Sequence, residues 1–335
     1  MKILIVRFSS IGDIVLTTPV IRGLKKQLDA EVHFCSKKQF QGILTNNPYI
    51  DKVHLLNSDF STLLKSLKEE QFDVIIDLHH NLRSKRIKSA LRSKTYTFNK
   101  LNIQKFLLTA FKINRLPNRH IVDRYMDTVK ELGVKNDHDG LDYFIPEKDE
   151  VELNWLPPSH QNGFVAFAIG GQHQTKQLPV KRMIELCDRI NRPIILLGGP
   201  DDLEKANQIE DFFKPSTNRH LEKSLLEEFH KKTVIFNGCG KFNLNQSASI
   251  LKQSIAVFTH DTGLMHIAAA FKKEIFSIWG NTVPEFGMYP YQTKFTIFEK
   301  KGLKCRPCSK IGYDKCPKGH FKCMNDVVFD FYIPE

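Results

Sequence analysis

Short apolar strand patterns alternate with helix patterns along most of this chain, and this alternation restricts the fold more than any other feature. In the first half, we predict buried strands at Lys2–Phe8, Glu31–Ser36, Val53–Leu56, Asp73–Leu78 and Thr95–Phe98. Helical patterns lie between them, such as Val20–Leu28 and Thr62–Glu70. Strands that alternate with helices form parallel sheets built from βαβ units. The sequence therefore predicts an α/β fold.

A second alternating series begins after residue 163. Its predicted strands are Phe164–Ile169, Pro193–Leu197, Thr233–Phe236, Ile255–Thr259 and Glu274–Trp279. Between the two series, the stretch from Trp155 to Gly163 breaks the periodicity and has the composition of a linker. A chain of 335 residues is also too long for one ordinary core. We therefore expect two doubly wound, Rossmann-like domains, residues 1–158 and 163–335, facing each other across a cleft.

The net charge of +12 is concentrated in one segment. Residues 82–124 contain twelve Lys or Arg residues, with Asp123 as their one acidic residue. Such a block is typical of surfaces that bind nucleic acid, anionic lipid or a phosphorylated substrate, although a solvated helical face has the same composition. Apolar residues lie among the charges and either contact lipid or pack in the core: Leu101, Phe106, Leu107, Leu108 and Phe111.

No apolar run approaches the roughly 18–20 residues that span a bilayer. The first apolar run, Ile3–Val6, is followed by Arg7 and Asp13 and by no small-residue cleavage site, so we interpret it as a strand and not as a secretory signal. We expect a cytoplasmic protein.

The stretch from Ile255 to Ala270 predicts a strand, a tight turn and a helix rich in small residues. The turn contains Asp261 and Thr262, which are good N-cap residues, and Gly263, which lets a ligand approach the backbone. A helix N-terminus at this position presents free N–H groups and a positive dipole end. His266 lies one turn along the same face. The pattern predicts a phosphate site, and a plain capped helix explains the same residues.

The turn after the first strand carries Gly12 as its single glycine, so it does not match the dinucleotide fingerprint. Asp13 follows at the start of a helix. It acts either as a general base for an attacking hydroxyl or as a first-turn acid that complements the helix dipole.

Two turns of the second half carry further polar residues. Gly170 and Gly171 permit close approach to a ligand, and Lys176 downstream either reaches a phosphate or is a surface lysine. Asp202 either accepts hydrogen bonds from a ribose or caps the helix Leu203–Phe213.

Four cysteines near the C-terminus have the spacing C-x2-C-x7-C-x6-C, with His320 among them: Cys305, Cys308, Cys316 and Cys323. Structural metal, free thiols and disulfides all remain open, because the spacing matches no standard zinc module. The pair His79-His80 either ligates a metal, contacts an acceptor or is a surface pair without a metal.

Together these pieces resemble the family 9 glycosyltransferases, the heptosyltransferases that build the inner core of lipopolysaccharide. The resemblance covers essentially the whole chain and rests on five short motifs. These are Ile3–Arg7 with Ser9–Asp13, Thr175–Pro179, Asp261–His266, Gly280–Thr282 and the cysteine tail that ends in Cys323-Met324.

The resemblance implies a GT-B fold, an ADP-heptose donor, inversion at the anomeric carbon, no catalytic metal and no cofactor. It implies Asp13 as the general base. The donor residues would be Lys176, Asp261, Thr262, Gly263, Leu264, His266, Gly170, Gly171 and Asp202. The acceptor residues would be Ser10, Gly12, His79, Asn81, Arg83, Lys85 and Arg86.

The implied acceptor is an anionic lipopolysaccharide core, either Kdo-bearing lipid A or heptosylated core. We therefore expect peripheral contact with the inner membrane at its cytoplasmic face, a monomer, and no nucleic-acid partner. Two alternatives stay open. One is a nucleotide-sugar epimerase of the same fold, and the other is a nucleic-acid-binding protein that uses residues 82–124.

Overall fold

The computed structural model describes residues 1–214 and 232–333. Its N-terminal half contains a five-stranded parallel sheet in the order β3-β2-β1-β4-β5. The strands are β1 (Lys2–Val6), β2 (Glu31–Lys37), β3 (Lys52–Leu56), β4 (Val74–Asp77) and β5 (Lys94–Thr97). All five strands predicted for this half are confirmed, with ends that differ by a few residues.

The C-terminal half contains a six-stranded parallel sheet in the order β11-β10-β9-β6-β7-β8. The strands are β6 (Val165–Ala168), β7 (Pro193–Leu197), β8 (Val234–Asn237), β9 (Val257–His260), β10 (Ile275–Trp279) and β11 (Phe295–Glu299). β11 was not among the strands predicted from the sequence. This edge strand is mostly half-buried and follows a long Gly/Pro-rich loop, so it lacks the continuous apolar run of the central strands.

The helices of the described residues surround both sheets. They are α1 (Ile11–Val15), α2 (Thr18–Leu28), α3 (Gln41–Leu44), α4 (Phe60–Glu69), α5 (Leu82–Leu91), α6 (Asn102–Phe106), α7 (Ile121–Met126), α8 (Pro158–Gln161), α9 (Val180–Ile190), α10 (Leu203–Phe213), α11 (Leu244–Gln253), α12 (Gly263–Ala270) and α13 (Lys322–Asn325). None of the helices in these residues is both long and apolar enough to cross a membrane.

Local chemistry explains why these elements form. The β1 sequence KILIV is apolar without interruption because both faces of a parallel strand are covered. Asp59 accepts hydrogen bonds from the backbone N–H groups of Ser61 and Thr62 and thereby starts α4. Asn243 starts α11 through a reciprocal capping box with Gln246.

The two halves share one buried apolar cluster. Ile14 and Val15 of α1 belong to the same cluster as Met265 and Ile267 of α12. The connecting segment also contacts the second half, since the Val151 backbone N–H donates to Ser249 Oγ at 2.9 Å. The stretch predicted as a linker includes the short helix α8. The carboxyl edges of both sheets therefore meet where α1 and α12 pack.

Candidate active site

Two glycines allow the turns predicted to carry chemistry to touch. A Cβ on Gly12 would lie 2.5 Å from His266 Cδ2, and a Cβ on Gly263 would lie 2.7 Å from Ile11 Cγ2. Real side chains do not approach that closely, so glycine is needed at both positions. This contact brings the helix that carries Asp13 against the turn Asp261–Thr262, and the site lies between the two sheets.

Asp13 is an ion-paired, half-buried carboxylate. Its Oδ1 lies 2.6 Å from Arg7 Nη2, and its Oδ2 accepts hydrogen bonds from the backbone N–H and hydroxyl of Ser10 at 3.1 and 2.8 Å. Burial alone would raise the pKa of Asp13, but the charge of Arg7 and the bonds from Ser10 outweigh burial and lower it. The carboxylate is therefore ionised at neutral pH. Its side chain is 18% exposed and remains reachable from the cleft.

Arg7 holds this carboxylate in place and was not among the site residues predicted from the sequence. Its guanidinium is buried and also donates to the carbonyls of Ser9 and Leu78, at 2.7 and 2.5 Å, and to Tyr125 Oη at 3.0 Å. The sequence signal that could have identified Arg7 is its position directly after a buried apolar strand. An unpaired charge is costly there, so a partner for the guanidinium is expected.

Several cations converge on Asp13 from the basic segment. Burial and the neighbouring charges of Arg124, Lys310 and Lys100 lower the pKa of Lys105 to about 8, whereas Asp13 opposes that shift. Burial and the charge of Arg7 lower the pKa of Lys100 in the same way. Cations that are held close together in a half-buried site repel one another. Binding of an anion between them is therefore favoured.

The basic segment does not form a single face. Lys88 pairs with the buried Asp77 at 2.9 Å, and Arg119 pairs with Asp127 at 2.8 Å. Arg124 is buried and donates to the carbonyl of Asn99 at 3.1 Å. The expected block therefore divides into structural ion pairs, cations turned toward Asp13 and exposed side chains on α5.

His79, which the resemblance assigned to the acceptor, lies near Arg7 and Asp13. Burial, followed by the charges of Arg7 and Lys100, lowers its pKa to about 4, so the ring is neutral. Its Nδ1 is buried and has no hydrogen-bond partner among the described residues. Asp77 positions the backbone here, accepting from the N–H groups of His79 and His80 at 3.0 and 2.7 Å.

The remaining implied acceptor residues lie on or beside α5. Asn81 Oδ1 accepts from the Ser84 N–H at 2.9 Å and so caps this helix. Arg83, Lys85 and Arg86 are exposed, and the Arg86 guanidinium lies 4.7 Å from the ring centroid of Phe60. Arg83 shares a surface cavity of about 570 Å³ with Lys37 and Lys38, at the carboxyl ends of β2 and β3.

On the opposite side, Lys176 and Asp261 form an ion pair. Lys176 Nζ lies 2.6 Å from Asp261 Oδ2, which also accepts from the Thr282 hydroxyl at 2.9 Å. Lys176 is not an exposed surface lysine, because its side chain is only 18% exposed and is paired with the turn before α12. Its contact with a phosphate stays a prediction. The turn, the lysine and the Gly280–Thr282 loop lie together.

The N-terminus of α12 is not capped by a side chain. Thr262 occupies the N-cap position, but its hydroxyl makes no capping hydrogen bond. The first backbone N–H groups of the helix, beginning at Gly263 and Leu264, are therefore available for another acceptor. His266 is buried behind them, burial lowers its pKa to about 4, and its Nδ1 has no partner among the described residues. A neutral ring lies next to an uncapped helix end.

Gly170, Gly171 and Asp202 form the adjoining corner of the site. A Cβ on Gly171 would contact Thr262 Cγ2 at 3.3 Å, and a Cβ on Gly170 would collide with the Asp202 carboxylate. Asp202 accepts from the Gly199 N–H at 3.0 Å and begins the turn before α10. Asp202 is the N-cap residue of α10, but its carboxylate makes no capping hydrogen bond to that helix and closes the turn that precedes it. Ribose binding by Asp202 stays a prediction.

Asn281 was not among the site residues predicted from the sequence. Its side chain is 1% exposed, and neither amide atom has a hydrogen-bond partner among the described residues. Buried polar atoms are nearly always paired, so an orphaned amide beside Thr282 marks a position for a bound group. The sequence signal that could have identified Asn281 is its place in the Gly280-Asn281-Thr282 motif, directly after β10.

The cysteine tail supports this loop. Arg306 donates to the carbonyls of Gly280 and Thr282 at 2.6 and 2.9 Å and pairs with Glu299 at 2.6 Å. The tail also contacts the Lys176 loop, since the Tyr313 N–H donates to Thr175 Oγ1 at 2.8 Å.

All seven cysteines of the chain are free thiols. Burial and the neighbouring thiols of Cys308 and Cys316 raise the pKa of Cys323 to about 12, and Cys305 Sγ lies 3.7 Å from His320 Nε2. The tail cysteines are thus near one another, and no disulfide joins them.

Comparison with known proteins identifies the class. Residues 60–317 match the family model of glycosyltransferase family 9 (heptosyltransferase), which is more than half of the chain. The chain belongs to this family and is a glycosyltransferase.

Individual relatives agree over nearly the whole length. The sequence is 23% identical over 304 residues to lipopolysaccharide heptosyltransferase 1 of Campylobacter coli, covering 84% of each chain. A family 9 glycosyltransferase structure from Veillonella parvula superposes with a TM-score of 0.70 at 23% identity, covering 88% of this chain and 86% of that one. The E. coli ADP-heptose LPS heptosyltransferase II gives a TM-score of 0.66 at 18% identity over 97% and 98%. The predicted GT-B fold is confirmed.

Proposed function

We propose that this protein transfers a heptose, with inversion, from ADP-heptose to an anionic lipopolysaccharide-core acceptor. One observation carries the proposal. An ionised carboxylate surrounded by cations in one domain lies against an uncapped helix N-terminus with a lysine in the other. The names of the C. coli and E. coli relatives support the choice of sugar, nucleotide and acceptor.

The donor half suits a departing diphosphate. As the bond to the anomeric carbon breaks, negative charge accumulates on the diphosphate. The N–H groups at the start of α12 and the Lys176 ammonium are fixed donors that stabilise this charge without reorganising. Asp261 holds Lys176 in the site until the anion arrives. The free amide of Asn281 supplies a further contact to the donor.

Asp13 is the proposed general base. A carboxylate with a lowered pKa is a weak base in the ground state, but it is wholly ionised and held in one orientation by Arg7. It accepts the proton of the acceptor hydroxyl as that oxygen bonds to the anomeric carbon, when the hydroxyl becomes acidic. The family match begins at residue 60, so support for Asp13 comes from the geometry of the site.

The cations around Asp13 suit a phosphorylated, carboxylate-bearing acceptor. Lys100 and Lys105 lie near the carboxylate, and Lys37, Lys38 and Arg83 line the cavity at the carboxyl ends of β2 and β3. Such an acceptor is anchored in a bilayer, so we propose that the enzyme works as a monomer at the cytoplasmic face of the inner membrane.

Substitution of Asp13 by Asn tests the proposal. The variant keeps the shape of the side chain but cannot take a proton, so we expect transfer to fall by about 10²-fold or more. Affinity for ADP, measured by calorimetry, should change little, and Asp127→Asn on the surface serves as the matched control. A wild-type transfer rate in Asp13→Asn would show that Asp13 is not the general base. Conversion of a free nucleotide sugar without acceptor would favour an epimerase instead.

A further inference from the structure

The segment after β5 has its apolar side chains turned outward. In α6 and the wider π-helical turn that continues it over Leu107–Phe111, Ile103 is 74% exposed, Phe106 53% and Phe111 61%. Phe106 and Phe111 are in edge-to-face contact, with ring centroids 5.8 Å apart. A surface helix in water shows the opposite arrangement, with apolar residues against the core.

The inner face of the same segment is fixed to the protein. Leu108 is buried with Val283 and Phe286, which belong to the loop after β10. Lys105 turns inward, over the Phe286 ring and toward the cations near Asp13. Lys112 Nζ donates to the Pro307 carbonyl at 2.7 Å. The outward position of Ile103, Phe106 and Phe111 is therefore enforced by packing on the other side.

The charge around these side chains has one sign. Residues 99–115 contain Lys100, Lys105, Lys112 and Arg115 and no acidic residue. Exposed apolar side chains within a basic surface are the combination that binds anionic bilayers, in which rings enter the headgroup region and cations contact lipid phosphates. Nucleic acid satisfies the cations but leaves the aliphatic Ile103 and the rest of the patch in water.

We propose that Ile103, Phe106, Phe111 and the neighbouring Ile113 form a docking surface, here called the 103–113 patch, for an anionic phospholipid bilayer. Ile113 is 47% exposed. The inference deepens the proposed function, on which it rests for the presence of a lipid-linked acceptor. Docking here would place the cations near Asp13 next to the headgroup layer, because Lys105 is on the inner face of the same helix.

Vesicle binding by the full chain tests the patch. Wild-type protein should sediment with phosphatidylethanolamine–phosphatidylglycerol vesicles far more than with phosphatidylcholine vesicles. The double variant Phe106→Ser/Phe111→Ser should bind the anionic vesicles with an affinity lower by at least about tenfold. Val328→Ser/Tyr332→Ser, which removes side chains 73% and 74% exposed on the other domain, is the matched control and should bind like wild type.

Transfer to the deacylated, water-soluble acceptor separates docking from function. The Phe106→Ser/Phe111→Ser variant should keep wild-type rates on this acceptor. If the wild-type protein does not transfer heptose to this acceptor, the proposed function is contradicted, but the vesicle-binding result is unaffected. If the double variant does not fold, Phe111→Trp decides, because its emission, after subtraction of the wild-type signal of the two native tryptophans, should shift to the blue with anionic vesicles. Unchanged Phe111→Trp emission, wild-type vesicle binding by the double variant, or preference of wild type for duplex DNA would overturn the proposal.

Discussion

The Arg7–Asp13 pair is the part of the site where a single residue sets the chemistry. Without the guanidinium, only the hydrogen bonds from Ser10 would oppose the effect of burial on the Asp13 carboxylate, and its pKa would rise. Wild type should therefore keep its base ionised well into the acidic range, since the pKa of Asp13 is below its ordinary value.

The variant Arg7→Gln should lose activity preferentially at low pH. The acid limb of its kcat profile should move to higher pH, because the base is then protonated over a wider range. Arg119→Gln, which breaks an exposed pair with Asp127, is the control and should leave the profile unchanged. An equal loss of kcat at every pH would indicate that Arg7 is only structural.

Lys176 acts on the donor and not on the acceptor. Lys176→Gln should weaken ADP binding about tenfold or more in calorimetry and lower kcat by about 10²-fold, because one fixed donor to the leaving diphosphate is lost. Lys252→Gln removes a cation that is 51% exposed and paired with Glu150, and should have no effect. An unchanged affinity for ADP in Lys176→Gln would show that Lys176 does not contact the donor.

At the residue scale, the sequence predicted the polar turns but not which side chains complete them. Asp13, Lys176 and Asp261 each lie in the segment that follows a strand of the parallel sheets, which the sequence pattern reveals. Arg7 and Asn281 were missed because their importance lies in burial, which depends on contacts from distant segments.

At the element scale, the contact between α1 and α12 decides how closely the two halves of the site approach. Gly12→Ala places a methyl group 2.5 Å from His266 Cδ2, so the ring or the helices must shift. We expect a loss of about 1–3 kcal/mol in the free energy of unfolding and a larger proportional loss in kcat/KM.

Gly42→Ala is the matched control for this contact. Its Cβ would lie 3.8 Å from Asn245 Nδ2, an ordinary van der Waals distance. Thermal unfolding and kcat/KM of both variants provide the measurement. Equal behaviour of the two alanine variants would contradict a role for the close approach.

The elements themselves were largely predictable. Buried parallel strands such as β1 and β7 are continuous apolar runs, and α10 was predicted with its observed bounds. The edge strand β11 was not found, and the short helix α8 was taken as linker, because neither is marked by a strong apolar period. The outward position of the apolar side chains in the 103–113 patch depends on tertiary packing. The sequence alone therefore did not decide between lipid contact and core packing for this segment.

At the scale of the whole molecule, several buried neutral histidines make stability depend on pH. Burial lowers the pKa of His54, His79 and His266 to about 4 and that of His120 and His260 to about 3. Between these values and the ordinary 6.5, the unfolded chain binds more protons than the folded one. Stability is therefore present above pH 6.5 and lost as the pH falls, by up to about 1.4 kcal/mol per histidine and pH unit.

Urea unfolding between about pH 7.5 and about pH 5 measures this dependence. The free energy of unfolding should fall steadily as the pH decreases. His138→Gln removes an exposed ring and should not alter the slope. A free energy that stays constant over this range would show that the buried rings are protonated in the folded state.

The central claim is that both halves of the cleft act on one transfer reaction, and acceptor-dependent release of ADP tests it most directly. Purified protein is mixed with ADP-heptose and the soluble anionic acceptor, and mass spectrometry follows the acceptor while free ADP is quantified. We predict one heptose added to the acceptor for each ADP released, and little release without acceptor. ADP release that does not depend on the acceptor, or an acceptor of unchanged mass, would contradict the account.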